Sequence, residues 1–193
     1  MFNSRYKSVG FTLIELMITL VIVVILTSIA LPSFRSMIIS NNIITTTNEL
    51  VATVNYARSE AIRRGKGITI CKSSSGTGCL TGGGTYWDSG WIAFVDTANY
   101  GTHDAGEEII RVWSTLPTGY TLRPNNNFIN YLRYDPHGAA NNIGTFAICH
   151  DSSEVGAKAI VITRLRPRLG SDSDNDQIPE KDNGSNISTC ESP

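Results

Sequence analysis

One apolar run dominates the amino-terminal end of the chain. From Phe11 to Leu31 it holds a single charged residue, Glu15, close to its start. A run of that length can span a bilayer as a helix. A carboxylate inside such a segment is costly, which marks Glu15 for a function. After Pro32 the pattern becomes amphipathic. Leu50, Val54, Ala57 and Ala61 recur at helical spacing and predict one buried stripe. Asn48, Glu49, Arg58, Ser59, Arg63 and Arg64 fall on the remaining surface. Gly65 and Gly67 stop the pattern, with Arg63 and Arg64 placed well against the helix dipole. A helix over 12–64 would be roughly 80 Å long at the usual rise per residue. Pro32 inside it removes one backbone hydrogen bond and favours a kink.

Beyond Gly65 the period changes to that of strands. Strands are predicted over 68–72, 91–96, 108–113, 120–123, 130–134, 144–150 and 159–164, with a Ser/Gly/Thr loop over 73–84 and a polar loop over 96–107. Pro117-Thr118-Gly119 and Asp135-Pro136-His137-Gly138 are turns by composition. One long helix followed by about seven short strands gives an α+β fold, with the strands packed on the helix stripe.

A secretory signal would need a shorter apolar core and a small-residue cleavage site, and none follows this run. A plain membrane anchor accounts for the helix and for Arg5 and Lys7, which the positive-inside rule keeps in the cytoplasm. It leaves Glu15 unexplained, although Thr12-x-x-Glu15 is also a capping box for a helix start. The chain has 193 residues and a formal net charge of −1, enough for one ordinary domain and no global pull toward polyanions. Its four cysteines allow three pairings and suit an oxidising compartment. The favoured pairing is Cys71–Cys79, closing the Ser/Gly loop, with Cys149–Cys190 tying the tail to a strand.

The string G-F-T-L-I-E-L at 10–16 resembles the processing site of type IV prepilins and type II secretion pseudopilins. That resemblance implies cleavage after Gly10 by a prepilin peptidase, N-methylation of Phe11, and a Glu15 that neutralises the Phe11 amine during filament assembly. In the second half, W-x-x-G-W-x-x-F-x-D at Trp87–Asp96, then G-E-E-I-I-R-V and L-P-x-G, are similar to the GspH/FimT/FimU branch. The implied fold is the type IV pilin fold, a long transmembrane plus amphipathic helix packed on an antiparallel β-sheet domain. The implied organisation is a leader at 1–10, a membrane helix at 11–31, the amphipathic half at 32–65, and a β-rich GspH/FimT-like domain at 66–193. Partners would be other minor and major pilins, the prepilin peptidase and an inner-membrane assembly platform. The chain would be single-pass in the inner membrane with a periplasmic domain, and later part of a pilus or pseudopilus.

Nothing in the sequence assembles a catalytic constellation. His103, His137 and His150 lie in unrelated contexts, no serine sits in G-x-S-x-G, and the glycine-rich loop lacks the ending of a phosphate loop. No cofactor is expected. Two tail segments carry chemistry of their own. Arg164, Arg166 and Arg168 alternate, so in a strand they would share a face and could track the phosphates of double-stranded DNA. The run resembles the Gly-Arg-x-Arg motif of FimT-like pilins that bind DNA during natural transformation, with Leu165 where that motif has glycine. The carboxylates that follow could instead pair with these arginines. Asp172, Asp174, Asp176 and Asp182 are also a weak calcium candidate, since oxygen ligands at every second position open a calcium loop. Its sixth position is Gln177 where glycine is expected, and its twelfth is Asn183 where glutamate is expected.

Overall fold

The computed structural model describes residues 10–193 apart from Gly83, Thr85, Asp182 and Ser192. It divides into a first unit ending at Ile39 and a second, Ser40–Pro193. Helix α1 (Leu13–Arg64) begins in the first and supplies the second with residues 40–64. Pro32 lies inside it. The helix ends at Gly65, whose positive φ of 63° accompanies a hydrogen bond from Lys66 N–H to the Ala61 carbonyl. Glycine tolerates this left-handed position without a Cβ penalty.

The second unit is α+β. Sheet one joins β1 (Ile68–Lys72), β2 (Trp91–Val95), β3 (Ile109–Trp113) and β5 (Tyr131–Tyr134) in the order β3-β2-β1-β5. Sheet two joins β4 (Tyr120–Pro124), β6 (Gly144–His150), β7 (Ser153–Ile162) and β8 (Pro167–Leu169) in the order β4-β6-β7-β8. All pairings are antiparallel. Two strands depart from the expected pattern. β7 starts at Ser153 and stops at Ile162, because Asp151 and Ser152 take positive φ and close a tight hairpin. An eighth strand, β8, then pairs Ile160 with Leu169 and Ile162 with Pro167.

The helix touches both sheets. Ile43, Leu50, Val54, Ala57 and Ala61 are buried. Thr53 accepts a hydrogen bond from Trp91 Nε1 at 3.3 Å, and Asn42 donates to the Tyr120 hydroxyl at 3.0 Å. Arg58 Nε donates to the Gly138 carbonyl at 2.9 Å. The two sheets are stitched through Trp87, which precedes β2. Its backbone donates to Leu122 O, its indole donates to Phe128 O, and its ring meets Phe146 edge-on at 5.1 Å. Gly90, between the two tryptophans, has φ 106°, and a Cβ there would come within 2.5 Å of Trp113 O.

The tail covers the outer face of sheet two. Ala147, Cys149, Ala157 and Ala159 present small side chains there, and Ile178, Ile187 and Cys190 pack on them. Disulfides join Cys71 to Cys79 and Cys149 to Cys190. Leu50, 1% exposed, tests the helix stripe as the base of this core. Leu50→Ala is expected to lower unfolding free energy by about 2–5 kcal/mol, read by urea titration of tryptophan fluorescence in detergent.

Candidate functional site

Gly10 and Phe11 lie at the exposed end ahead of α1. A side chain at Gly10 would meet no described atom within 4 Å, so no contact among the described residues asks for glycine there. Phe11 is 80% exposed. Glu15 N–H donates to Thr12 Oγ1 at 3.3 Å, half of the capping box. Among the described residues no group bonds the Glu15 carboxylate. The large apolar side chains of the run lie exposed, and the helix is long and apolar enough to cross a membrane by length and composition. Those side chains therefore require an apolar surrounding from outside the chain.

At its other end, α1 carries a charge network that periodicity alone did not reveal. Glu60 is buried and accepts from Arg63 at 2.9 and 2.5 Å and from Arg64 at 2.7 Å. Arg64 reaches on to Glu108 at 2.6 Å, just before β3. Hydrogen bonds from Arg63 act most strongly on the Glu60 carboxyl. Burial pushes it up and Arg64 pushes it down again, leaving it near 2 against an ordinary 4.5. The spacing of Arg63 and Arg64 from Glu60 signals such a cluster; its burial was not legible. Lys72 is a second missed residue. It is 1% exposed, with Nζ donating to the carbonyls of Gly82 and Gly84, and burial pushes its ammonium below the usual range. It pins the glycine-rich loop next to the Cys71–Cys79 bridge.

The arginine run does not form a strand with one arginine face. Only Arg168 lies in β8; Arg164 and Arg166 occupy the bend before it. Thr163 and Arg166 close that bend with a hydrogen bond from Thr163 Oγ1 to the Arg166 carbonyl at 2.7 Å. All three arginines are exposed, and among the described residues none forms an ion pair. The expectation that the run pairs with its own acidic tail is therefore corrected. β8 lies along β7, and the aspartates turn to their own loop.

Asp172, Asp174 and Asp176 hold oxygens within 4.8 Å of one another. Asp172 accepts from Gln177 N–H at 3.1 Å, and Asp176 accepts from Ile178 N–H at 2.8 Å and Asn186 Nδ2 at 2.6 Å. These bonds shape a turn, and such an exposed cluster does not by itself assign a metal. Glu180 directs its Oε1 to the Ser173 amide and hydroxyl, both at 2.5 Å. Asp182 lies outside the described residues.

The family model of the type II transport protein GspH matches residues 46–165, more than half of the chain. The chain belongs to the GspH family. The prokaryotic N-terminal methylation motif matches residues 10–31. Among solved structures, the type IV minor pilin FimU of Pseudomonas aeruginosa is similar in two crystal forms, at 20% identity in each. One has a TM-score of 0.58 and covers 78% of this chain and 96% of FimU. The other has a TM-score of 0.54 and covers 76% and 98%. At that identity the likeness is one of fold. No curated protein matches the chain.

The GspH match opens inside the buried helix stripe and closes at Leu165, three residues past β7. Both arms of the Glu60 network lie within it, whereas β8, the acidic loop and the disulfide-held tail lie beyond it. Because the Glu60 carboxyl is held low in the folded state, its contribution to stability is complete above about pH 4.5. It is lost as pH falls toward 2. Stability of the natural protein is therefore expected to fall more steeply across that window than stability of Glu60→Gln, measured by urea titration at a series of pH values.

Proposed function

We propose that this GspH-family chain is a minor type IV pilin of the FimU/FimT kind. It is cut after Gly10 by a prepilin peptidase and N-methylated on Phe11. Before the cut, Arg5 and Lys7 keep the leader on the cytoplasmic side; residues 11–31 then hold the mature chain in the inner membrane, with the strand domain on the periplasmic side. The assembly platform extracts it into a tip or priming complex with other minor pilins, from which major pilins extend. The observation that carries this reading is the bare apolar helix of the methylation motif, with one carboxylate in its first turn, built on a GspH domain. The exposed run needs lipid first and neighbouring helices afterwards. In either surrounding, the attraction between Glu15 and a cationic terminus is much stronger than in water.

A second reading is the H pseudopilin of a type II secretion filament, favoured by the family model itself. It uses the same anchor and the same Glu15, and differs in the filament joined. The two are separated by which filament, pilus or secretion pseudopilus, co-purifies with the chain. A role in DNA uptake rests on Arg164, Arg166 and Arg168, whose charge is matched by three aspartates within eight residues.

The working part common to both filament readings is Glu15. Glu15→Ala is expected to leave the disulfides and the circular dichroism of the strand domain unchanged. The amount recovered in sheared filaments should drop about tenfold or more relative to the membrane fraction, in keeping with a charge pair lost from a low-dielectric site. Normal incorporation of Glu15→Ala would reduce Glu15 to a helix cap and remove the assembly role.

A further inference from the structure

An irregularity in β3 decides what the free edge of sheet one presents. Against β2, Trp113 lies opposite Trp91 and Arg111 opposite Ala93; the register then shifts, so that Ile109 and not Ile110 lies opposite Phe94. Successive strand residues face opposite sides, and the extra residue reverses that alternation. Ile109 packs with Cys71, Ile92 and Phe94 on the outer side. Arg111 and Trp113 are turned instead to the side on which Trp91 meets α1. There the Arg111 guanidinium lies 5.1 Å from the Trp113 ring centroid and 6.0 Å from that of Tyr56 on the helix. The strand runs alongside α1 in the opposite direction. Glu108 meets Arg64, Arg111 meets Tyr56, Trp113 stacks on the Trp91 that bonds Thr53, and Tyr120 meets Asn42. The two walls keep pace, since Tyr56 to Asn42 takes about 21 Å of helix and Arg111 to Pro117 about 20 Å at the rise of a strand. A groove of about 430 Å³ lies between them, lined by Asn42, Thr45 and Glu49 on one side and by 111–117 on the other.

We propose that this groove binds an extended segment of a partner protein, which adds a fifth strand to sheet one beside β3 and sets an acidic side chain against Arg111 and a basic one against Glu49. β3 is an end strand of its sheet, so one row of its backbone donors and acceptors is paired to no strand among the described residues. Strand addition to such an edge draws its affinity from main-chain hydrogen bonds and its selectivity from alternate side chains. The charges supply the selectivity. Arg111 and Glu49 are both exposed and line the same groove, yet among the described residues neither forms an ion pair. The groove thus offers one unpaired charge of each sign. A charge on an edge strand often serves to repel further pairing. Arg111 is placed otherwise, since its guanidinium is drawn back over two rings and its stem does not project from the edge. Stacking of this kind holds the planar group still and leaves its edge donors for a carboxylate. The row Asn42, Thr45 and Glu49 is polar, so the side chains of the added strand that face the helix are polar as well. The proposal does not depend on which filament the chain joins, because strand and groove lie within the second unit.

The test uses the full chain in detergent micelles and fluorescein-labelled peptides read by anisotropy. Each peptide alternates threonine and valine, is capped at both ends, and carries two charged residues in place of threonines four apart, so that both share one face. Three versions are compared: Glu with Lys, Glu with Glu, and Lys with Lys. The natural chain is expected to bind the Glu/Lys peptide about tenfold or more tightly than either other version, and less tightly as salt rises. Arg111→Glu should move the preference to the Lys/Lys peptide. Glu49→Lys, on the exposed side of the helix and away from the ring stack, should move it to the Glu/Glu peptide. Both variants should keep the natural circular dichroism. Methylating the backbone nitrogens along one edge of the Glu/Lys peptide should abolish binding, and methylating those along the other edge should leave it, because only one edge faces β3. The proposal is overturned if the natural chain binds none of the peptides or binds all three alike. It is equally overturned if neither charge reversal moves the preference, or if the peptide methylated along both edges binds as well as the plain one.

Discussion

The buried face of α1 between Ile43 and Ala61 is the interaction on which the second unit rests. Both sheets meet it, and it is the one α-helix among the described residues. Its composition fits that position. Ala57 and Ala61, both fully buried, let the strands come close, while Leu50 and Val54 fill the space above. Thr47, Thr53 and Glu60 on this face are satisfied. Thr47 donates to Ile43 O, Thr53 donates to Glu49 O while accepting from Trp91, and Glu60 takes the two arginines that follow it. A polar group buried without such partners would destabilise the core. Here the polar groups fix which way the helix face points.

From that face the rest follows in layers. Trp91 bonds the helix and stacks on Trp113 at 6.0 Å, while Trp87 turns the other way to Phe128 and Phe146 in the core under sheet two. Gly90 between them lets the backbone pass Trp113. On the far side of sheet two, a row of alanines leaves room for the tail, and Cys149–Cys190 anchors it. The first unit shows the reverse economy. Its large apolar side chains lie exposed, in a helix long and apolar enough to cross a membrane.

Much of this was legible because the signals were local and repeated. The stripe Leu50, Val54, Ala57, Ala61 is buried as its spacing predicts, and the strands Ile68–Lys72 and Gly144–His150 have the bounds their composition suggests. The processing string and the W-x-x-G-W motif pointed to the family that the full match shows. What escaped was non-local or locally disguised. β7 begins in Ser153-Glu154-Val155-Gly156, which has no strand alternation, after a turn in which Asp151 and Ser152 adopt φ values that glycine or asparagine usually takes. β8 begins at Pro167, a residue that argues against a strand except at an edge, which is where it lies. Nothing local marked Lys72 for burial at the end of its strand, since the carbonyls that hold it come from a loop ten residues on. The arginine run and the acidic loop looked like partners because of their nearness in sequence. They part because β8 pairs with β7 while Asp172 and Asp176 bond the amides of their own loop.

The most direct test of this account is native-state hydrogen exchange of the full chain in detergent micelles. If the face from Ile43 to Ala61 is the base of the second unit, amides over 43–61 should exchange only through global unfolding. Their protection should then equal that of β2 and β6 and fall in step with theirs in Leu50→Ala. If this stretch of helix instead exchanged at lower protection while β2 and β6 stayed closed, the strands would hold themselves together without it. The central claim would then be wrong.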